Sequence, residues 1–467
     1  MTTISEYLLG HWLTLHGLIV TGGLAFYVTT SHTLHLRRHP TAAIAWVVAL
    51  FLLPYVALPL YLIFGIRKVK TSRTAVQQKE LTSSDLDGLR ARTQQLAAIM
   101  SLPAASHYHN LCIHNDGAQA LQALQHIIDS ATHTIDLCTF VFARDELGEQ
   151  ITRNLKRRAR EGLRVRVLID GVGAYLGGHV QFKDMADAGI HVALFIPPLR
   201  SSLRGRTNLR NHRKMVVADS KYLWCGGRNL AAEYFEGVAA SLPWVDLSFD
   251  LQGALAGQAQ QQFERDWRFA THDTAPDPVV AIDPELLPDS AIGQLIASGP
   301  DQLDDTFYTL LVSGFFLSRK RILVVTPYFV PNLILLMSLT LAARRGVRVD
   351  LLMPKKSNHR LADFARHRSL RELTSAGAHV WFLPQMIHAK AVVIDDDLAL
   401  VGSANLDERS LFLNYELMIA FYEPTDVKRY AAWIERQRNA AELYRAQPPR
   451  LWQEIAEGLL LWLAFQL

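Results

Sequence analysis

Two uncharged apolar runs open the chain. No Asp, Glu, Lys or Arg occurs between Tyr7 and Leu36, and residues 7–28 alone are long enough to cross a bilayer core as a helix. Residues 41–64 form a second uncharged run, which Pro54 and Pro59 would kink, as membrane helices tolerate. A cleaved signal peptide fits the first run poorly, because no basic region precedes it and a second run follows at once. Buried soluble helices are opposed by the length of both runs. The tail before Tyr7 carries no Lys or Arg, the loop 31–40 carries Arg37 and Arg38, and Arg67, Lys68, Lys70 and Arg73 follow the second run. Positive-inside counting therefore places everything after Arg67 in the cytoplasm. Residues 1–66 read as a membrane anchor with transmembrane helices at about 7–28 and 41–64. Residues 67–109 read as a polar juxtamembrane connector with one helix at 84–100.

From about Asn110 the pattern changes to short apolar runs alternating with amphipathic stretches, which predicts an α/β body. That body is duplicated. Strand, helix and strand are expected at 134–142, 147–161 and 163–169, and again at 321–329, 334–345 and 347–353. Gly162 and Gly346 each close the helix, and a helical crossover between strands implies parallel pairing. The predicted architecture is two similar domains, each a mixed sheet flanked by helices, related by a pseudo-twofold. The first spans residues 110–270, a linker 271–300, and the second 301–467 with a C-terminal helix.

The sharpest repeat carries chemistry. Asn211-His212-Arg213-Lys214 runs through an apolar stretch to Asp219, then Gly226-Gly227-Arg228-Asn229; Ile387-His388-Ala389-Lys390 runs to Asp395, then Gly402-Ser403-Ala404-Asn405. Asn229 follows His212 by 17 residues, and Asn405 follows His388 by the same 17. Each His-x-Lys pair begins an apolar, β-branched run, so it is expected on a strand with imidazole and ammonium on one face. Asp219 and Asp395 begin turns into the return strands and are expected to pin those hairpins rather than touch substrate.

Two such units facing one another would converge two His, two Lys and two Asn on one pocket. Lys214 and Lys390 can neutralise the non-bridging oxygens of a phosphodiester, and Asn229 and Asn405 can donate to them. One imidazole can attack phosphorus while the other moves the proton. The lysines supply the charge, so this chemistry calls for neither cofactor nor metal. An attacking imidazole needs its other nitrogen held; Glu416, 28 residues after His388, and Asp246, 34 residues after His212, are the candidate orienting carboxylates.

The duplicated H-x-K-x4-D motif with its G-[GS]-x-N partner resembles the signature of the phospholipase D superfamily. The residues 38–46, 60–65, Phe263-Glu-Arg-Asp-Trp267, Thr326-Pro-Tyr-Phe-Val-Pro331 and Asn405-Leu-Asp-Glu-Arg-Ser410 are similar to those of bacterial cardiolipin synthases. The resemblance covers nearly the whole chain. It implies a phosphatidyltransferase of the bacterial inner membrane with its catalytic body in the cytoplasm. In that reaction one phosphatidylglycerol forms a phosphatidyl-histidine and releases glycerol, and a second attacks to give cardiolipin. The resemblance makes His212 the nucleophile and His388 the acid/base. Two departures stand out: Ser220 where a glycine is expected, and Asn358 where an acidic residue is common.

A formal charge of +4 and pI near 8.9 suit an anionic membrane surface, and no basic-aromatic track for nucleic acid is present. Three widely spaced cysteines imply no disulfide framework. Neither a P-loop nor a GxGxxG occurs. His107, His109, Cys112 and His114 read as partly exposed loop residues, and Lys156, Arg157, Arg158 and Arg160 as a solvated face or headgroup contact. The apolar C-terminus 451–467 reads as an interfacial or packed helix. Water as acceptor would make the same site a phospholipase D hydrolase, and phosphatidylethanolamine is an alternative lipid partner. A nuclease and a non-catalytic lipid-binding scaffold are the remaining rivals, and the complete pair of His-Lys sets argues against the latter.

Overall fold

The computed structural model describes residues 2–33, 40–65, 68, 88–178, 182–198, 206–238, 241–273, 290–454 and 457. Arg37, Arg38, Arg67, Lys70, Arg73 and nearly all of the apolar C-terminus beyond Glu454 lie outside them. In the first half the strands are β1 (Ser106–His114), β2 (Thr134–Thr139), β3 (Arg164–Asp170), β4 (His191–Phe195), β5 (Met215–Ala218), β6 (Tyr222–Gly226) and β7 (Ser248–Gln252). The second half has β8 (Ala291–Ser298), β9 (Arg321–Val325), β10 (Phe329–Val330), β11 (Arg348–Pro354), β12 (His379–Leu383), β13 (Ala391–Ile394), β14 (Leu398–Gly402), β15 (Leu406–Asp407), β16 (Glu416–Phe421) and β17 (Glu442–Leu443).

All but β10 and β15 join one sheet of 15 strands, in the order β17-β12-β11-β9-β13-β14-β16-β8-β1-β7-β6-β5-β2-β3-β4. Outward from the β8–β1 seam, β16, β14, β13, β9, β11 and β12 mirror β7, β6, β5, β2, β3 and β4. The duplication read from sequence is thus a pseudo-twofold through the seam, where Ser106, His107 and Tyr108 pair antiparallel with Gly293, Ile292 and Ala291. The crossovers behave as expected. β2 and β3 run parallel around the Glu146–Arg160 helix, and β9 and β11 around Leu333–Arg344. Gly162 and Gly346 follow those helices at φ +95° and +87°, where a Cβ would be strained.

Two differences from the sequence reading have physical causes. His107, His109, Cys112 and His114 are on β1, not a loop, because this polar-looking stretch is clamped between β7 and β8; His114 is buried against Asp250. β8 forms within the stretch read as a linker, its apolar residues filling the seam. The connector helix expected at 84–100 is seen as Leu89–Ile99, and residues 84–87 lie outside the described residues. The basic stretch at 156–160 is largely ion-paired: Lys156 to Asp184, Arg157 to Asp129 and Glu161, and Arg158 to Glu161.

The N-terminal apolar runs fold as helices Thr2–Thr33, Pro40–Leu52 and Pro54–Phe64, the second run breaking at Leu53 before Pro54. Among the described residues, no helix is both long and apolar enough to cross a membrane. Tyr27, Trp46 and Tyr61 pack these helices together, and Lys68 ties their exit to the body through Asp305 at 2.8 Å and the Gln302 carbonyl at 2.9 Å.

The halves are braced by Arg213, which has no solvent exposure. Its guanidinium donates to Asp266, to the Glu416 carbonyl at 3.1 Å, to the Ser298 carbonyl at 3.3 Å and to Asp301. Arg213→Ala strands the Asp266 carboxylate without its cation, so unfolding stability should fall by about 3–5 kcal/mol. Arg213→Met with Asp266→Leu removes both charges and should recover most of that loss in denaturant titrations. Equal destabilisation by the double variant would show that the brace acts through something other than charge pairing.

Candidate active site

Each His-x-Lys pair lies just before its strand rather than on it: β5 begins at Met215 and β13 at Ala391. The reason is that these residues leave their own hairpin to bond across the twofold. His212 N donates to the Tyr415 carbonyl at 2.9 Å, and His388 N to the Val245 carbonyl at 2.7 Å. Isolated bridges Asn211↔Tyr415 and Val245↔Ile387 flank these contacts.

The orienting carboxylates cross over in the same way. His212 Nδ1 lies 3.0 and 3.2 Å from the Glu416 oxygens, and His388 Nδ1 lies 2.7 Å from Asp246 Oδ2. Counting from sequence attached each carboxylate to the histidine of its own half; the fold gives each to the other. A carboxylate only accepts, so each Nδ1 carries the proton and each Nε2 keeps its lone pair. Glu416 is itself held by Ser403 Oγ at 2.5 Å and Asn414 Nδ2 at 3.2 Å. Asp246 instead accepts from Leu247 N at 2.7 Å and packs against Gly227, where a Cβ would sit 2.2 Å from its Oδ1.

The lysines fold back on their own motifs. Lys214 Nζ donates to the His212 carbonyl at 2.8 Å, and Lys390 Nζ to the His388 carbonyl. Lys390 Nζ also lies 2.7 and 2.8 Å from the two ring nitrogens of His388. Burial, and then Lys390, push His388 down to about 3. Burial lowers His212 as well, opposed by Glu416. Burial takes Lys390 to about 7 and Lys214 to about 8. Asp246 is drawn down to about 2, chiefly by His388, against the opposing effect of its burial. Both imidazoles feel both ammonium groups, so the four groups form one electrostatic unit.

The two Asn are placed differently. Asn229 Nδ2 donates to Tyr234 Oη at 2.8 Å, while Asn405 Oδ1 is buried without a partner. Asp219 and Asp395 lie at the far ends of β5 and β13, roughly 16 Å from the lysines at strand rise. Asp219 accepts from the backbone N–H of Thr132, His133 and Thr134, and Asp395 from that of Arg319, Lys320 and Arg321. Each pins its hairpin to the start of the neighbouring strand. Asp219 and Ser220 both have positive φ (52° and 55°), which explains the expectation of glycine at Ser220.

Aromatic walls went unread in the sequence. Phe140 stands edge-on to His212 at 5.1 Å, Tyr234 to His388 at 5.0 Å, and Trp244 tilts over His388 at 5.7 Å. A faint signal existed: Thr139 ends β2, Thr326 directly follows β9, and each hydrogen-bonds the carbonyl two residues on, at 3.0 and 2.8 Å, shaping matching turns at the pocket wall.

The crossed pairing is directly testable. In protein carrying ¹⁵N-histidine, Asp246→Asn should shift the ring-nitrogen resonances of His388 and leave those of His212 nearly unchanged. Glu416→Gln should do the reverse. Shifts confined to the histidine of the same half would contradict the crossing.

A family model described as cardiolipin synthase, PLD-like domain, matches residues 124–267 and 315–438, the two halves of the sheet. Another, phospholipase D-nuclease N-terminal, matches residues 23–65. Cardiolipin synthase A of Pseudomonas putida (strain W619) is 30% identical over 436 residues, covering 89% of this chain and 88% of that protein. Cardiolipin synthase A of Pseudomonas aeruginosa (strain LESB58) is 31% identical over 423 residues, covering 86% of each. Among solved structures, phosphatidylserine synthase of Haemophilus influenzae Rd KW20 shares the fold with a TM-score of 0.58 at 15% identity, over 80% of this chain and 96% of that one. The chain belongs to the phospholipase D-like cardiolipin synthases, a family of phosphatidyltransferases.

Proposed function

We propose that the protein makes cardiolipin from two molecules of phosphatidylglycerol through a phosphohistidine. The observation that carries this reading is the crossed geometry: two imidazoles, each with Nδ1 on a carboxylate of the other half, share one site with two ammonium groups, and Lys390 Nζ covers the Nε2 of His388 but not that of His212. His212 is the nucleophile. Its ring is the more open of the two, with 13% side-chain exposure against 5% for His388, and no ammonium packs on it. Its Nε2 attacks phosphorus as the P–O bond to glycerol breaks, and His388 protonates the departing glycerol oxygen. The terminal hydroxyl of a second phosphatidylglycerol then gives its proton to His388 and attacks phosphorus, and the P–N bond to His212 breaks. One phosphodiester replaces another, so the exchange is nearly energy-neutral and needs no nucleotide.

Lys214 and Lys390 offset the phosphate charge, and Asn229 and Asn405 donate to its oxygens. Asp246 and Glu416 orient the rings. The bound phosphate monoanion supplies the negative charge that raises both imidazoles from their depressed values, which lets His388 hold a proton. Residues 7–28 and 41–64 anchor the enzyme in the inner membrane, a placement supported by their lack of charge and by the N-terminal family match. The connector and the two domains follow in the cytoplasm with the boundaries given above. Phosphatidylglycerol alone, with chelator and without nucleotide, should yield cardiolipin and glycerol in equal amounts by lipid mass spectrometry. Phosphatidic acid as the main product would make the protein a hydrolase, and loss of turnover on chelation would defeat the lysine-only charge compensation.

With an activated phosphatidyl substrate whose phenolate leaves unaided, His388→Ala should accumulate an adduct on His212, and His212→Ala should give none. An adduct on His388 in the latter would reverse the roles.

The lysines also set a pH limb. They act when protonated and their values are depressed to about 7 and about 8, so kcat/KM should fall as pH rises through that window. Lys390→Arg should move the limb upward, and Lys390→Met should lower kcat by roughly 100- to 1,000-fold at neutral pH. An alkaline limb unmoved by Lys390→Arg would exclude Lys390 as its source.

A further inference from the structure

Four leucines, two from each half, stand out from the body at the same end of the sheet as the imidazoles. Leu176, Leu242, Leu333 and Leu361 are 64, 73, 73 and 55% exposed. Singly, such residues need no explanation; four at the one end of the sheet that carries the imidazoles do. Each connects to the site by a short chain of contacts. Leu176 ends the helix that starts after Asp170, whose carboxylate accepts from Asn211 N at 2.8 Å. Leu242 is two residues from Trp244, which covers His388. Leu333 opens the helix after β10, which pairs with β15 beside Asn405. Leu361 begins the helix after His359, whose ring meets Tyr328 of the pocket wall at 5.3 Å. The strand order makes Leu176 and Leu361 counterparts, since they follow the equivalent strands β3 and β11.

We propose that these leucine tips form a rim that dips into the bilayer, holding the active-site mouth at headgroup level. This rests on the phospholipid reading above and adds the orientation of the body. A phosphodiester whose acyl chains stay in the bilayer is reached only by a site brought to the interface. Apart from the partly exposed His212, the side chains that would act on it are nearly fully buried at this end of the sheet. Exposed apolar tips gain by entering the acyl boundary, and the exposed Lys356 and Arg360 beside Leu361 complement anionic headgroups. Glu236 is an exposed acid near the Leu242 tip and opposes this charge match locally. The hairpin turns at Asp219 and Asp395 mark the opposite end, facing away from lipid.

The test uses the full chain in phosphatidylglycerol vesicles, with Cys112→Ser, Cys138→Ala and Cys225→Ala and a single fluorophore-labelled cysteine. Labels at Leu176, Leu242, Leu333 and Leu361 should be quenched by acyl-chain nitroxide lipids and shielded from aqueous iodide. Labels at Lys221 and Asp397 should show the opposite. Iodide access at the four tips equal to that at Lys221 overturns the proposal, and protection from both quenchers overturns it in favour of a contact with a second copy. The quenching readout is independent of turnover: failed quenching with cardiolipin still formed sinks only the rim, whereas quenched tips without phosphatidyl transfer sink the reaction. In the native-cysteine background, Leu333→Asp should lower turnover in vesicles about tenfold through a smaller docked fraction; unchanged turnover overturns the rim.

Discussion

Each catalytic-motif histidine depends on the opposite half of the molecule for both its backbone and its side chain. The His212 amide bonds Tyr415 and its ring bonds Glu416; the His388 amide bonds Val245 and its ring bonds Asp246. A half on its own would therefore hold an imidazole with no carboxylate to fix its proton. This reciprocity constrains everything else. The β1–β8 seam must bring the halves into register, and Arg213 must reach from one motif to the Glu416 carbonyl and to Asp266 at once. Buried ions are tolerated here because each is answered by a partner, and the cost of a lapse is highest where burial is most complete.

The same burial sets the chemistry of the lysines. Loss of water lowers both ammonium groups, and Lys214 lowers Lys390 further, so they sit near neutrality instead of far above it. Such groups bind an anion with more than ordinary affinity, because a phosphate restores the solvation they gave up. Asp246 and Glu416 are held low by the imidazoles they orient and remain anionic. Burial opposes the ionised form of Glu416 most strongly, and His212, Lys214 and Ser403 together still hold it below the usual carboxylate range.

Much of this was legible in the sequence, for definite reasons. The 17-residue His-to-Asn interval is a strand, a turn and a return strand, and a hairpin of fixed length cannot vary without breaking its ladder. The parallel crossovers and the glycines at helix ends were equally local. What stayed hidden was long-range. Asp246 lies 142 residues from the histidine it hydrogen-bonds and Glu416 lies 204 from its own, and no spacing rule spans such intervals. The aromatic walls were missed because Phe140, Tyr234 and Trp244 look like core residues in a linear pattern. The β1 strand is hard to read because histidines, Asn110 and Cys112 interrupt its apolar residues, of which Tyr108 is buried but Leu111 and Ile113 only half-buried, so hydrophobicity alone hides a strand that its two neighbours hold.

The twofold is broken where breaking it matters. In one half, Gly227 leaves room for the shorter Asp246, and a side chain there would collide with the carboxylate. In the other, Ser403 occupies the equivalent place and donates to the longer Glu416. Glycine with aspartate and serine with glutamate thus fill similar space with different hydrogen bonding. Glu416 spends part of its charge on Ser403 and Asn414, whereas Asp246 faces His388 beside Lys390. Two imidazoles at equivalent positions consequently have different hydrogen-bonding surroundings and unequal exposure. In the reaction proposed above, that inequality is what distinguishes the attacking ring from the ring that moves the proton, since a symmetric pair would have no reason to keep the roles apart.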